Sequence, residues 1–464
     1  MKITDNITES LLTTTSDGLV PTLLAAMPTI SDDNMTYSFE LLPDVKFHDG
    51  TTLKASDVKY SYERLIKMAK MATLLENVVG YDEMSAGTAD ELSGIEVQDD
   101  THFTIQLKKP YAPFLSVLST AYCAIYPQEA CEAAGDNWGM TTLIGTGAFK
   151  LDSYQTGVGA TLSRFDDYHG GAVALSGLDY KFIEDVNTQV LEYQKGNVDY
   201  VDVDPSIYPV YSSNPDLKDQ MHGFQPTGCY SLNVNSKTYS DPKVREAIAL
   251  SIDRKAICES ILHGTATVPN SYIPAGIIGH DDSLPEFEYD PEKAKELLAD
   301  AGYADGFDLE ITVPSSYSQH VDSAQIIADE LSQVGINVTL NQVEWSTWLQ
   351  DVYKGGNFQA TVIGFDGTLA PSDWLKKYVT DDAKNFMHYS NTEYDDVFNT
   401  AYTTVDDDVK VENYKKAQMI LAEDAAAVYI EDPANLVAVS KKFGGYTFYP
   451  TAAEDMSLLY QVEQ

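Results

Sequence analysis

Asp366 is a carboxylate whose setting suits recognition of a positive group and a local turn about equally. It follows the apolar run Ala360 to Ile363 and the pair Gly364-Phe365, and aromatic residues at Tyr230, Trp345, Trp348 and Trp374 fall at comparable places, beside or just beyond apolar runs. A carboxylate pairs with a positive group, such as the amino end of a peptide, and rings offer apolar contact with a polar tip. The alternative role is purely local, because Asp366-Gly367 is also a good turn dipeptide whose carboxylate caps nearby N–H groups. A second place of interest is Ile144-Gly145-Thr146-Gly147, where two glycines let a ligand or another strand come close to the backbone at Gly147. It is not a phosphate loop, since Ala148-Phe149 stand where a Lys-Ser/Thr pair would be needed.

Covalent and metal chemistry find no such footing. The eight histidines are dispersed, and neither HExxH nor GxSxG occurs. Cys123, Cys131, Cys229 and Cys258 permit three pairings, none at CxxC spacing, and buried free thiols fit them as well as a bridge does. With 71 acidic residues, a pair at glycosidase spacing can be drawn almost anywhere and carries no weight. No catalytic residue, metal ligand or cofactor is therefore assigned. The net charge of −41 repels phosphate backbones and anionic membranes, so nucleic acid is not an expected partner. No apolar run is long enough to span a bilayer.

The elements that must position these residues follow from periodicity. Tyr230, Leu232 and Val234 alternate with polar residues as a half-buried strand does, and Asp241-Pro242 then opens a helix running to His263-Gly264. Asp290-Pro291 starts a helix that Ala301-Gly302 stops. Beyond it, Phe307 to Val313, Ile336 to Leu340 and Gln359 to Ile363 read as strands separated by helices at about 322–334 and 346–353. Strand, helix, strand, helix, strand predicts parallel crossover units, with ligands gathering beyond the strand C-termini. A last amphipathic helix at about 409–424 precedes a strand at Val437 and Val439. A chain of 464 residues exceeds one ordinary core, so at least two domains are expected.

Several phrases resemble the extracellular solute-binding proteins of family 5, the oligopeptide and dipeptide importer type. They are YSFELLPDVKFHDGTTLKASDVKYSYERL from Tyr37, IGTGAFKLDSY from Ile144, GNVDYVDV from Gly196, DPKVREAIALSIDRKAICESILHGTA from Asp241 and YDPEKAKELLADAGYADGFDLEI from Tyr289. The resemblance covers almost the whole chain. It implies an α/β, two-lobed fold like that of periplasmic binding proteins (type II, large cluster with an extra subdomain), hinged between lobes. Lobe I would be 1–228 with an inserted subdomain at about 25–145, lobe II 229–436, and 437–464 the return to lobe I. The implied function is capture of a small solute between the lobes for the membrane subunits of an ABC importer, not catalysis. An oligopeptide is the first expected ligand and an oligosaccharide or other small solute the second; an extracellular hydrolase or a sensor domain is the competing class. A monomer outside the cytoplasmic membrane is expected, as a surface lipoprotein or in the periplasm, with the export signal and first strand absent from this chain. The expected ligand-binding set is Asp366, Phe365, Gly364, Trp345, Trp374, Tyr230 and Gly147. Peptide-binding members are similar around a Trp-x-x-Asp-Tyr loop whose Asp meets the ligand amino group. Here that loop reads Gly364-Phe365-Asp366-Gly367-Thr368-Leu369-Ala370-Pro371, with the acid moved by one position. An arginine that pairs with a peptide carboxylate in some members has no counterpart within Val313 to His320.

Overall fold

The computed structural model describes all residues except 1, 16–17, 69–71, 224–227, 276, 367–369, 405, 448–453 and 463–464, and omits the side chains of Ala72 and Asp366. The chain divides into two compact units. One comprises Met1–Val201, Gln220–His222 and Val437–Gln464; the other comprises Asp202–Asp219 and Gly223–Leu436. The segment Asp202–Asp219, expected with the first lobe, belongs to the second unit because its turn Pro205–Ile207 packs on the helix Arg254–Leu262.

In the first unit, Thr29–Ile30, Thr36–Glu40, His102–Gln106 and Ile95–Val97 form an antiparallel sheet in that spatial order. The alternation of Tyr37 and Phe39 with polar residues buries both rings, and Phe39 stacks on Phe103 across the strand pair. Phe149–Gln155, Gly159–Arg164 and Gly177–Lys181 form a meander. In a third small sheet, Val437–Val439 lies between Tyr200–Asp202 and Met221–His222.

The second unit is built on one mixed sheet. Its elements, in chain order, are β1 (Gly228–Val234), α1 (Pro242–Leu250), α2 (Arg254–Leu262), β2 (Ala266–Thr267), α3 (Pro291–Asp300), β3 (Phe307–Pro314), α4 (Ser318–Ser332), β4 (Ile336–Val343), β5 (Ala360–Asp366), α5 (Asp407–Glu423) and β6 (Val428–Pro433). The spatial order is β2, β6, β1, β5, β3, β4. β3 runs parallel to β4 and β5, as the strand and helix alternation predicts, and β1 runs antiparallel to β5 and β6. Leu232, Val234, Ile311 and Val362 share a core with Ile248 of α1, Ile257 of α2, Leu298 of α3 and Ile327 of α4.

One expectation needs correcting here. The single helix from Asp241 to His263 is two helices, because Asp253 interrupts it as a fresh N-cap whose carboxylate accepts the Ala256 N–H at 3.0 Å. The break turns α2 so that Arg254 reaches the carbonyls of Pro269, Tyr429 and Phe287. Arg245 of α1 is likewise buried, and its guanidinium donates to the carbonyls of Tyr239 (2.8 Å), Ser240 (3.1 Å), Asp424 (2.6 Å) and Ala425 (3.2 Å). It thereby satisfies carbonyls just past the end of α5, which no intrahelical N–H can reach.

Candidate functional site

The parallel strands β3, β4 and β5 end at Pro314, Val343 and Asp366, and β1 begins at Gly228 opposite Asp366. One edge of the sheet therefore gathers the loops after three strands and the start of a fourth, which is where ligands of such sheets bind. A run of rings crosses it. Tyr317, just ahead of α4, is 44% exposed and Trp345, just after β4, is 37% exposed; their centroids are 5.3 Å apart. Tyr317 stacks on His320, and His320 meets Tyr230 edge to face at 4.9 Å. Trp345 stacks on the buried Trp348 at 5.2 Å. Trp348 is fixed in turn by a π-helical turn, Trp348–Lys354, and by its Nε1–H donating to Thr361 Oγ1 at 3.0 Å.

Tyr230, Gly364 and His320 are locked together. Tyr230 pairs with Gly364 across β1 and β5, and a Cβ on Gly364 would lie 2.2 Å from two ring carbons of Tyr230. The glycine is there to make room for the ring. The Gly364 N–H donates to His320 Nε2 at 3.3 Å, so the neutral imidazole carries its proton on Nδ1. Burial pushes the His320 pKa down to about 4, and Nδ1 makes no hydrogen bond among the described residues.

On the other side of Tyr230 stands Glu431. β6 bulges between its pairings to Tyr230 and Ser231, which brings Glu431 opposite Tyr230. Its fully buried carboxyl accepts hydrogen bonds at Oε1 from Gln319 (2.9 Å) and Ser323 (3.3 Å), while Oε2 has no partner among the described residues. Burial raises its pKa to about 7 against the weaker pull of those two donors. The folded state therefore holds a proton that the unfolded state has released between the ordinary carboxylate range and pH 7, so stability falls as pH rises through that window. Glu431→Gln, which keeps Oε1 as an acceptor, is expected to stabilise the protein by up to about 2 kcal/mol at pH 8 and not at all at pH 4. Urea unfolding at the two pH values checks this; equal midpoint shifts at both would show that ionisation is not the cause.

The expected set divides. Tyr230, Gly364 and Trp345 come together at the strand-end edge, and Phe365 adjoins them on β5. Asp366 ends β5, but its side chain lies outside the described residues, as does Gly367. Two members need correcting. Trp374 is fully buried, packed edge to face on Tyr272, because the helix Pro371–Leu375 turns it inward, so it is a core residue. Gly147 is buried against the chain's own backbone: a Cβ there would sit 2.8 Å from Asn6 O, its N–H donates to Ile7 O, and its carbonyl meets His48 Nε2 at 2.9 Å. The close approach its glycine permits is thus to another segment, and no face is left for a ligand. Tyr317, His320 and Glu431 carried no signal beyond their place near strand ends. All four cysteines are buried free thiols. Among the described residues no cluster of His, Cys, Asp and Glu could hold a metal ion, and no helix is long and apolar enough to cross a membrane.

A model of the bacterial extracellular solute-binding proteins, family 5 (middle region), matches residues 18–386. The chain is similar to the dipeptide-binding protein of Escherichia coli (strain K12), with 27% identity over 448 residues, 91% of this chain and 82% of that protein. It is similar to heme-binding protein A of Haemophilus influenzae, with 26% identity over 452 residues, 91% of this chain and 80% of that protein. Among solved structures, the putative peptide binding protein AppA from Clostridium difficile matches with a TM-score of 0.87 at 21% identity, covering 99% of this chain and 95% of that one. That likeness establishes the two-lobed α/β fold.

Proposed function

The chain belongs to the bacterial extracellular solute-binding proteins of family 5, and from that premise we propose that it captures a solute at the strand-end edge of its second unit and delivers it to the membrane subunits of an ABC importer. The observation that carries this reading is the run of rings from Tyr230 through His320 and Tyr317 to Trp345, which leaves large aromatic surface exposed where a mixed sheet presents its loops. Tyr230, Tyr317, Trp345, Gly364 and Phe365 form the proposed wall, and Asp366 is kept with them on its backbone position alone. The work is capture, without turnover, outside the cytoplasmic membrane, by a surface lipoprotein or a periplasmic protein acting as a monomer.

Overall likeness does not choose the ligand. Relatives of nearly equal identity are named for a dipeptide and for heme, so the site residues must decide. A small peptide is the proposed solute. Exposed stacked rings also suit a sugar face, which keeps an oligosaccharide as the second reading.

Thermal shift across peptide and oligosaccharide libraries tests this. A ligand that binds only the native state stabilises it by RT ln(1 + [L]/Kd), about 2.7 kcal/mol at a hundredfold excess over Kd. A hit recovered intact at full occupancy is the expected result. A hit recovered cleaved, with protein far below substrate concentration, would replace capture by hydrolysis.

A further inference from the structure

Two rings at the strand-end edge each have one side packed and the other open. Trp345 stacks on the buried Trp348 with the ring planes 7° apart and the centroids 5.2 Å apart, which covers one face of its indole. It is nonetheless 37% exposed, so its open surface is the opposite face and the rim. Tyr317 is held the same way: it stacks on His320 at 5.3 Å and 25°, and stays 44% exposed. The planes of Tyr317 and Trp345 meet at 67° with their centroids 5.3 Å apart, so the two rings form the floor and the side of a corner. Both supports are fixed from behind. Trp348 donates to Thr361 Oγ1 and His320 accepts the Gly364 N–H, so the corner is preformed.

The charge around it has one sign. The residues beside Tyr317 are Ser315, Ser316 and Ser318, and those beside Trp345 are Glu344, Ser346 and Thr347; all are exposed, and Glu344 is the only charged side chain among them. Glu344 precedes the helical turn Trp345–Thr347 and makes no side-chain capping bond to it. His320, the basic residue under Tyr317, is neutral at physiological pH, since burial pushes its pKa down to about 4. Ring faces are negative, that of indole most of all, and they attract a cation placed over them more strongly as water is excluded. A net charge of −41 also concentrates cations around the protein. An apolar group would use the rings and ignore the carboxylate. A guanidinium uses all three, because it is planar, lies flat on an indole and keeps N–H groups at its rim for a carboxylate.

We propose that the corner of Tyr317 and Trp345 selects solutes that carry a cationic side chain, a guanidinium above all, which lies on the open indole face with Glu344 beside it. The inference rests on solute capture at this edge and adds the charge class of the solute.

The experiment measures, by calorimetry, tripeptides with arginine at each position in turn against the same peptides with citrulline, the uncharged isostere. Wild type, Trp345→Leu, Trp345→Phe and Glu344→Gln are compared. At the best position arginine peptides should bind wild type about tenfold more tightly than their citrulline counterparts. That preference should fall to within about twofold in Trp345→Leu and persist in part in Trp345→Phe, which keeps a ring. Glu344→Gln should reduce it only about twofold, because the carboxylate is exposed. Ethylguanidinium and N-ethylurea are the minimal probes, read through the indole N–H signal of Trp345 by NMR and assigned by its loss in Trp345→Leu; the first should move the signal and the second should not. Equal binding of arginine and citrulline peptides to wild type would overturn the inference and leave solute capture standing. A preference undiminished in folded Trp345→Leu would put the cation elsewhere and overturn it too. The wild-type comparison needs no variant, so a variant that fails to fold leaves the test intact. If no tripeptide binds, the peptide reading falls and the probes decide alone: a signal moved by ethylguanidinium only upholds the cation site, and one left unmoved, or moved equally by the urea, removes it.

Discussion

Gly364→Val is expected to weaken solute binding at least a hundredfold while leaving the protein folded. The position has ordinary strand geometry, pairing with Tyr230 in the ladder, and valine is a good strand residue. What forbids it is Tyr230, whose ring carbons stand 2.2 Å from where the Cβ would be. A ring can swing about χ1 far more easily than a backbone can shift, so relief comes by expelling Tyr230 from its edge-to-face packing on His320. Overpacking of this sort costs about 1–3 kcal/mol of stability, which a domain of this size survives. Its effect on the wall is larger, because the expelled ring crosses the edge where the solute is proposed to sit. Calorimetry of Gly364→Val with a ligand found by thermal shift measures it, with Tyr230→Phe, which keeps the ring, as the control. Wild-type affinity in Gly364→Val would take Tyr230 out of the wall.

Arg245→Met is expected to cost about 3–5 kcal/mol of folding stability. The methionine stem replaces the packing of the arginine stem but none of its donors. The carbonyls of Tyr239, Ser240, Asp424 and Ala425 then lose their shared donor in a place water reaches poorly. Two of these follow α5, so its end should fray first. Urea unfolding of the second unit gives the cost, and hydrogen exchange localises it. A loss below about 1 kcal/mol would mean that the carbonyls find water or another donor without unfolding.

The scaffold was more legible in the sequence than the site, for a physical reason. Leu309, Ile311 and Val313 are buried because a central strand with covered faces needs apolar residues there, and local periodicity reports that need. Trp345 was legible as a residue just past such a strand. Trp374 was not separable from it, since an indole packed inward by its own helix and one left at a strand end are the same letter in the same kind of loop. Gly147 shows the same ambiguity: a glycine that admits close approach does not say what approaches. Glu431 was illegible altogether. Its setting is created by a bulge against a strand two hundred residues earlier in the chain. Asp253 was misread because a short cap inside a periodic run leaves the period intact while breaking the helix.

The small sheet that holds Val437–Val439 between Tyr200–Asp202 and Met221–His222 bears on how the molecule is made. The two outer strands leave the ribosome early, with nothing between them. Their partner follows only after every strand of the second unit, from Gly228 to Pro433, has been synthesised. The unit translated first is thus completed last, and through the whole synthesis of the second unit it carries strand edges of the kind that recruit foreign strands. Asn6 enforces the same order, since its side chain donates to Glu454 O and accepts the Met456 N–H near the far end of the chain. A nascent chain stalled after the second unit would be half finished in its older half, a delay built into the topology.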